Sequence, residues 1–303
     1  MEQHTLGNTG LKVTALGYGA MEVRGKRVWN GRPVTEEQVK RILNAVLDAG
    51  INFIDTSFDY GRSEEFIGKY VSHRRGEFYL ATKCGCSFVD KGDYDETPHV
   101  WTRENLLHNI EHSLRLLNTD YVDIWQLHNP SVEQVNEEDL VRVMEQVQQQ
   151  GKVRWIGISS TLPHINTYIE WRKFATFQIP YSALERQHES VITQASQAGA
   201  GTIIRGGVAR GAPVESGLGN KDRWAIWEKA GLDELLASGE TRTGFLLRFT
   251  LSHPDMDTTI VGTLTPEHLQ DNLRAAAAGP LPADLYKEAK RRLDAVGEKP
   301  ATA

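Results

Sequence analysis

The chain has 303 residues, of which 40% are hydrophobic and 24% are charged, and its formal net charge is −6. This composition is typical of a soluble globular protein, and the negative charge disfavours nucleic acid as the main partner. Two cysteines favour a reducing compartment over a disulfide framework, and no apolar run is long enough to span a bilayer. The opening MEQHTLGNTG lacks the features of a signal peptide. We therefore expect a cytoplasmic protein with one domain over residues 1–303.

The first elements are a hairpin, a strand and a helix. HTLGNTGLKVT predicts a β-hairpin, and VTALGYGA contains the first strand of the main fold. TEEQVKRILNAVLDAG predicts a helix, because Thr35 and Gln38 have the spacing of a capping box and the apolar residues fall on one face. Gly50 suits the position after a helix end, and INFID then predicts a short buried strand.

The same alternation of helix and strand continues along the chain. Further strands are predicted in 77–83, 121–128, 153–160, 174–180, 201–207 and 257–263, and further helices in 103–117, 137–151, 185–199, 241–253 and 265–279. Strands without polar alternation are typical of a parallel sheet covered by helices. About eight βα units predict an α/β fold of the (β/α)8 TIM barrel type, with the N-terminal hairpin at its bottom. The alternative is a doubly wound open sheet, which the lack of G-x-G-x-x-G after the first strand disfavours.

Three long irregular stretches follow predicted strands, and they run from Glu22 to Val34, from Ser87 to Val100 and from Gly206 to Asn220. Loops in these positions lie on the face where barrel enzymes keep their active sites. A tryptophan lies in or beside each stretch, namely Trp29, Trp101 and Trp224. These side chains either line an apolar substrate pocket or pack within the protein, and the sequence favours neither interpretation.

Four polar residues follow the ends of three neighbouring strands. Asp55 ends the second strand, Tyr60 lies in its loop, and Lys83 and His128 end the next two strands. Because adjacent strand ends meet at one rim of a barrel, these groups are expected to converge and to perform acid–base chemistry. Asp55 would hold Lys83, whose charge is expected to lower the pKa of Tyr60. No activated serine or cysteine is evident, so a cofactor is expected to supply the nucleophile as a hydride.

At this point the chain resembles the aldo-keto reductase family. The matching motifs occur in the family's order and span nearly the whole chain, and they are FIDTSFDYG, LATK, WQLHNP, IGISS, FQIPYS and IVGTLTPEHLQDNL. The resemblance implies a barrel that binds a nicotinamide cofactor, usually NADPH, and reduces an aldehyde or ketone or oxidises the matching alcohol. It also implies that Tyr60 is the proton donor, that Asp55 and Lys83 tune it, and that His128 orients the carbonyl.

The resemblance also assigns the binding residues. Those implied for the cofactor are Gly19, Ala20, Met21, Asp55, Ser159, Ser160, Gln178, Arg205, Gly206, Gly207, Val208, Gly262, Thr263, Thr265, His268 and Asn272. Those expected at the substrate are Trp29, Tyr60 and His128. Thr265 followed by Pro266 also has the pattern of a helix start, and a helix N-terminus attracts phosphate.

Two features limit what the resemblance implies about the cofactor. The family often has Asn where this chain has Ser160. Many NADPH-selective members carry Lys or Arg near the 2′-phosphate, where this chain has Gly262, Leu264 and His268. NADPH is the expected cofactor and NADH is the alternative, with Arg205 or Arg210 as substitute cations.

The remaining reactive residues do not predict a metal site. Cys84 and Cys86 are too close in sequence for an unstrained disulfide, and no further ligands of zinc-site spacing are recognisable nearby. His108 and His112 have the spacing of a metal-binding pair on a helix, but we interpret them as surface residues. We expect a small-molecule substrate and neither a nucleic-acid nor a membrane partner. The alternative to an enzyme is a cofactor-binding accessory or sensor subunit that resembles potassium-channel β subunits.

Overall fold

The structure, a computed structural model, describes residues 1–209 and 221–301. Its centre is a closed barrel in which every neighbouring pair of strands is parallel. In chain order the strands are β1 (Gln3–Thr5), β2 (Lys12–Thr14), β3 (Leu16–Gly19), β4 (Phe53–Asp55), β5 (Tyr79–Cys84), β6 (Val89–Asp90), β7 (Asp95–Glu96), β8 (Val122–His128), β9 (Val153–Ser159), β10 (Thr176–Pro180), β11 (Gly201–Arg205) and β12 (Thr258–Val261). The barrel has the order β3-β4-β5-β8-β9-β10-β11-β12, so the predicted TIM barrel is confirmed.

Helices follow the barrel strands and cover the outside of the barrel. They are α1 (Glu36–Asp48), α2 (Ser63–Val71), α3 (Arg103–Leu117), α4 (Val132–Glu137), α5 (Leu140–Gln149), α6 (His164–Trp171), α7 (Glu189–Gln197), α8 (Lys221–Lys229), α9 (Arg242–Leu251), α10 (Pro266–Ala278) and α11 (Ala283–Ala295). The predicted capping box at the start of α1 is present, with Thr35 and Gln38 exchanging hydrogen bonds. Among the described residues, no helix is both long and apolar enough to cross a membrane.

The N-terminal hairpin closes the amino end of the barrel. β1 and β2 pair antiparallel, as predicted. Buried Leu6, between these two strands, belongs to the same apolar cluster as Phe53 and Ile203 of the barrel. The carboxylate of Asp257 accepts hydrogen bonds from the backbone N–H of Gly7 and of Thr202, at 3.0 Å and 2.9 Å. The hairpin is therefore attached by both apolar packing and paired backbone groups.

Two predicted helices begin later than expected. The helix predicted from residue 137 starts at Leu140, because Asp139 has a φ of 48° and separates α4 from α5. The helix predicted from residue 185 starts at Glu189. The buried guanidinium of Arg186 contacts Glu189 and Asp294, and this tertiary contact places the preceding residues in a turn instead.

The long loops differ in how much structure they contain. The stretch 87–100 was predicted to be irregular, but β6 and β7 pair antiparallel within it. Arg27 links this hairpin to the loop after β3, since its guanidinium donates hydrogen bonds to Asp95 at 2.7 Å and 2.5 Å. Of the third predicted stretch, residues 210–220 lie outside the described part of the chain.

Candidate active site

Register along the barrel brings the predicted strand-end residues to one rim. Asp55 lies opposite Gly19 on β3. Lys83 lies opposite Gln126 on the next strand. His128 and Gln178 both lie beside Ser159, on either side of β9. The carboxyl ends of five consecutive strands therefore carry polar side chains at the same end of the barrel.

A buried ion pair lies at the centre of this rim. Nζ of Lys83 lies 2.5 Å from Oδ1 of Asp55, and both side chains are at most 2% exposed. The same ammonium donates a hydrogen bond to the carbonyl oxygen of Thr56 at 2.7 Å. Burial acts to lower the pKa of Lys83, but the charge of Asp55 outweighs it and the pKa is raised. Lys83 is therefore a fixed cation at neutral pH.

Asp55 accepts hydrogen bonds from two amides as well. Its Oδ2 accepts a hydrogen bond from Nε2 of Gln178 at 2.8 Å and one from Nε2 of Gln126 at 3.1 Å. These donors hold the carboxylate in one orientation and so hold Lys83 in place. Gln126 was not a predicted site residue, although its motif WQLH had been singled out for His128 two positions later.

Tyr60 lies beside the ion pair, with Nζ of Lys83 4.9 Å from the centre of its ring. Burial raises the pKa of Tyr60 above its ordinary value, and the opposing effect of Lys83 does not compensate. The predicted lowering of this pKa is therefore wrong. The physical reason is that the dense surroundings penalise a phenolate, while Asp55 and Asp59 add negative charge nearby.

His128 ends β8 and faces Tyr60, with the two ring centres 6.3 Å apart in an edge-on arrangement. Nδ1 of His128 lies 3.4 Å from Oδ1 of the buried Asp59. Burial acts to raise the pKa of Asp59, but His128 and a hydrogen bond from Ser57 lower it to about 2. Asp59 was not a predicted site residue. Its position directly before Tyr60 was the signal in the sequence that could have identified it.

Ser159 carries a buried polar atom at the rim that fits a bound group. Its hydroxyl oxygen is buried and has no hydrogen-bond partner among the described residues. A buried hydroxyl without a partner is unusual in a folded protein, so a bound group is expected to pair with it. Ser160 lies beside it, and its N–H donates to the carbonyl oxygen of Gln178 at 3.3 Å.

Other residues predicted to bind the cofactor lie at the carboxyl ends of β3, β11 and β12. Gly19, Ala20 and Met21 form the end of β3 and the start of a 3-10 helix. Arg205 is the last residue of β11, and Gly206, Gly207 and Val208 follow it. A Cβ atom on Gly262 would lie 2.4 Å from the carbonyl oxygen of Gly19. The strand ends β3 and β12 therefore approach each other closely, which only a glycine at this position permits.

The start of α10 has the geometry of an anion-binding helix end. Thr265 is the N-cap residue and Pro266 is the first helical residue, but the Thr265 side chain makes no capping hydrogen bond. Thr263 instead accepts a hydrogen bond from the backbone N–H of Thr265 at 3.0 Å. His268 is exposed and Asn272 is half-buried on the same helix. Backbone N–H groups without a side-chain cap remain available to a phosphate.

The three loop tryptophans have different surroundings. Trp29 is 48% exposed, in the loop between β3 and α1. Trp101 and Trp224 are buried, and Trp224 packs on Trp227 at a ring distance of 5.6 Å. Trp29 is therefore the loop tryptophan with surface to offer a substrate, whereas the other two pack within the protein.

Cys86 has metal-ligating neighbours that the sequence did not reveal. The ligand atoms of Cys86, His99 and His128 all lie within 4.8 Å of one another. Ligands of recognisable spacing are absent from the sequence around Cys86, because the residues that meet it are distant in the chain and come together through the folding of the loop after β5. By contrast, the rings of His108 and His112 lie beside Phe58, and His108 is exposed as expected.

Comparisons with known proteins agree with the barrel fold. The model of the aldo/keto reductase family matches residues 15–293. The uncharacterised oxidoreductase YqkF of Bacillus subtilis is 27% identical over 92% of this chain and 92% of its own length. The L-galactose dehydrogenase of Arabidopsis thaliana is 28% identical over 91% of this chain and 88% of its own.

A solved structure supports the same assignment. The aldo-keto reductase AKR11C1 of Bacillus halodurans superposes with a TM-score of 0.81 and 27% identity, covering 96% of both chains. The glycerol dehydrogenase AKR11B4 of Gluconobacter oxydans has a TM-score of 0.80 over 96% of this chain and 95% of its own. At 22% identity that second match shows only a shared fold.

Proposed function

The chain belongs to the aldo/keto reductase family and is an NAD(P)-dependent oxidoreductase, and we propose that Tyr60 is its general acid and base. The substrate is an aldehyde or ketone, or the matching alcohol in the reverse direction. The observation that carries the proposal is the buried pair of Lys83 and Asp55 beside the Tyr60 ring.

The described residues fit a nicotinamide cofactor. When it is bound, the nicotinamide supplies or accepts a hydride at its C4 atom. The unpartnered hydroxyl of Ser159 and the amide of Gln178 would hold the carboxamide, and the start of α10 would hold phosphate. Gly19 and Gly262 carry no side chains, so nothing from these two residues would block a ribose at the strand ends.

Tyr60 can act as an acid because it stays protonated at neutral pH. Its raised pKa keeps the proton on the phenol until the substrate oxygen becomes a much stronger base. The proton then passes from Tyr60 to that oxygen, and the fixed charge of Lys83 stabilises the phenolate that remains. In alcohol oxidation the same phenolate takes the proton back.

His128 is proposed to orient the substrate oxygen, and Asp59 positions His128. The carboxylate lies beside Nδ1 of the ring, so it favours a proton on that nitrogen. Trp29 would contribute an apolar surface at the mouth of the pocket. These residues define a site that is polar at the reacting oxygen and apolar further out.

NADPH is the expected cofactor by family resemblance, and we propose that NADH is accepted as well. The positions that often carry a cation are Gly262, Leu264 and His268. Arg274 on α10 is paired with Asp271. A Cβ atom on Gly262 would lie 3.1 Å from Cγ of Glu22, so a carboxylate is close to this end of the site. That carboxylate is already paired with two arginines, so the proposal rests on the lack of Lys or Arg at those three positions.

Tyr60→Phe tests the acid–base proposal. Removing the phenolic hydroxyl should lower the rate of carbonyl reduction by about 10³-fold, within the usual contribution of a general acid. Quenching of tryptophan fluorescence by NADPH should be unchanged, which would show that the cofactor site is intact. The same titration with NADH measures the preference between the two cofactors. Full activity in this variant would contradict the proposal.

A further inference from the structure

Three potential metal ligands meet beside the acid–base cluster, and the proposed reaction uses only one of them. Sγ of Cys86 lies 3.7 Å from Nδ1 of His128. The ring of His99 lies edge-on to that of His128, with 5.7 Å between their centres. One thiol and two imidazoles form a donor set that suits Zn²⁺, which also binds with three protein ligands and one open position.

The spacing of these atoms fits a tetrahedral ion. Bond lengths of about 2.3 Å to sulfur and about 2.0 Å to nitrogen place those two ligand atoms about 3.6 Å apart. The separation of 3.7 Å between Cys86 and His128 already matches this value. His99 is exposed, so a rotation of its side chain can bring its ring nitrogen to the ion.

The backbone holds Cys86 and His99 opposite each other. The two residues form an antiparallel bridge. Backbone hydrogen bonds flank this bridge, from Ser87 to Pro98 at 2.9 Å and from Val100 to Gly85 at 2.7 Å. Two ligands on facing, hydrogen-bonded segments need little reordering to bind an ion.

The charge around this cluster favours a cation. Asp59 is fully buried next to His128, and its Oδ2 has no hydrogen-bond partner among the described residues. A buried carboxylate that is incompletely paired is stabilised by a nearby positive ion. Together with a Cys86 thiolate it would balance the charge of one divalent ion. Burial raises the pKa of the Cys86 thiol, so the metal must displace its proton, as zinc does when it binds cysteine.

We propose that Cys86, His99 and His128 bind one Zn²⁺ ion and that the bound ion inhibits the reductase. The inhibition rests on the proposed role of His128. When the metal binds the His128 ring, Asp59 no longer orients that ring toward the substrate oxygen. Zinc binding itself needs only the three side chains and is independent of the reaction.

Calorimetric titration of the metal-free full-length protein with Zn²⁺ tests the site directly. We expect one ion per chain, and we expect Cys86→Ser and His99→Asn each to weaken binding by at least about 100-fold. Neither residue takes part in the proposed reaction, so both variants should keep their activity without zinc. Cys84→Ser is the matched thiol control and His108→Asn the matched histidine control, and both should bind zinc like the unaltered protein.

Activity measurements test the inhibitory role. Zinc should inhibit the unaltered protein, a chelator should restore it, and His99→Asn should require at least about 100-fold more zinc. Absence of binding, or binding that Cys86→Ser leaves unchanged, would overturn the site. Binding without inhibition would overturn the inhibitory role. If Tyr60→Phe retained activity while Cys86→Ser abolished zinc binding, the reaction proposal would fail and the metal site would stand.

Discussion

The two ends of the barrel differ in how their polar groups are paired. At the amino end, Leu6 of the hairpin packs against the barrel, and the Asp257 carboxylate pairs the backbone N–H groups of Gly7 and Thr202. At the carboxyl end, charged groups are buried and several polar atoms lack partners, among them Oδ2 of Asp59 and the hydroxyl of Ser159. The hairpin contacts at the amino end pair the Asp257 carboxylate, whereas the carboxyl end keeps polar atoms around the reacting groups that can bind a ligand.

This difference separates stability from chemistry within one fold. Apolar burial and paired polar groups stabilise the amino end without any chemical demand. The carboxyl end holds an ion pair whose burial contributes little net stability, because desolvation offsets the attraction between the charges. Changes at the two ends should therefore separate into losses of stability and losses of activity.

Lys83→Met should have the largest effect and should alter both properties. It leaves the Asp55 carboxylate buried without its cation, which should destabilise the protein by about 3 kcal/mol. It also removes the charge that stabilises the Tyr60 phenolate, so carbonyl reduction should fall by about 10³-fold. Chemical denaturation and steady-state kinetics measure the two losses.

A second variant separates these two contributions of Lys83. The double variant Asp55→Asn with Lys83→Met replaces the buried pair by neutral groups, so it should recover most of the lost stability. Its activity should remain as low as that of Lys83→Met, since the cation is still absent. Recovery of activity in the double variant would show that Lys83 has only a structural role.

Leu6→Ala should affect the amino end alone. Leu6 is fully buried, and its truncation should destabilise the protein by about 3 kcal/mol through lost apolar contact and a residual cavity. The ratio kcat/KM should stay unchanged at temperatures where the variant is folded. Val296→Ala, at a partly exposed position near the C-terminus, is the control and should change stability by less than about 0.5 kcal/mol. A parallel loss of kcat/KM would mean that the two ends are coupled.

The sequence predicted the barrel because its strands and helices alternate in a regular way. It also placed Asp55, Lys83 and His128 at one rim, since each lies at or next to the carboxyl end of a strand. It did not reveal the meeting of Cys86 with His99, because that contact depends on how an irregular loop folds back on itself. The pKa of Tyr60 was predicted with the wrong sign, since the charge of Lys83 can be read from the sequence but the degree of burial cannot.

Glu64 is a buried carboxyl group near the site, and the proposed reaction does not use it. It accepts a hydrogen bond from Thr82 at 2.5 Å, and the hydroxyl of Ser113 lies close to it. Burial raises the pKa of Glu64 from 4.5 to about 7. The folded protein therefore keeps a proton that the unfolded chain releases between these two pH values, so stability should fall as the pH rises through this range.

Glu64→Gln should remove this dependence on pH, which amounts to about 3 kcal/mol for a pKa difference of this size. Relative to the unaltered protein, the variant should gain stability as the pH rises from about 4.5 to about 7, with no further gain above that. Urea denaturation at a series of pH values measures the difference. Glu65→Gln is the matched control, because Arg62 lowers the pKa of that exposed carboxyl and any effect should be small and opposite in sign. Equal pH dependence in the Glu64→Gln variant and the unaltered protein would mean that Glu64 is already ionised in the folded state, and that the polar end of the barrel tolerates one more buried charge than its contacts indicate.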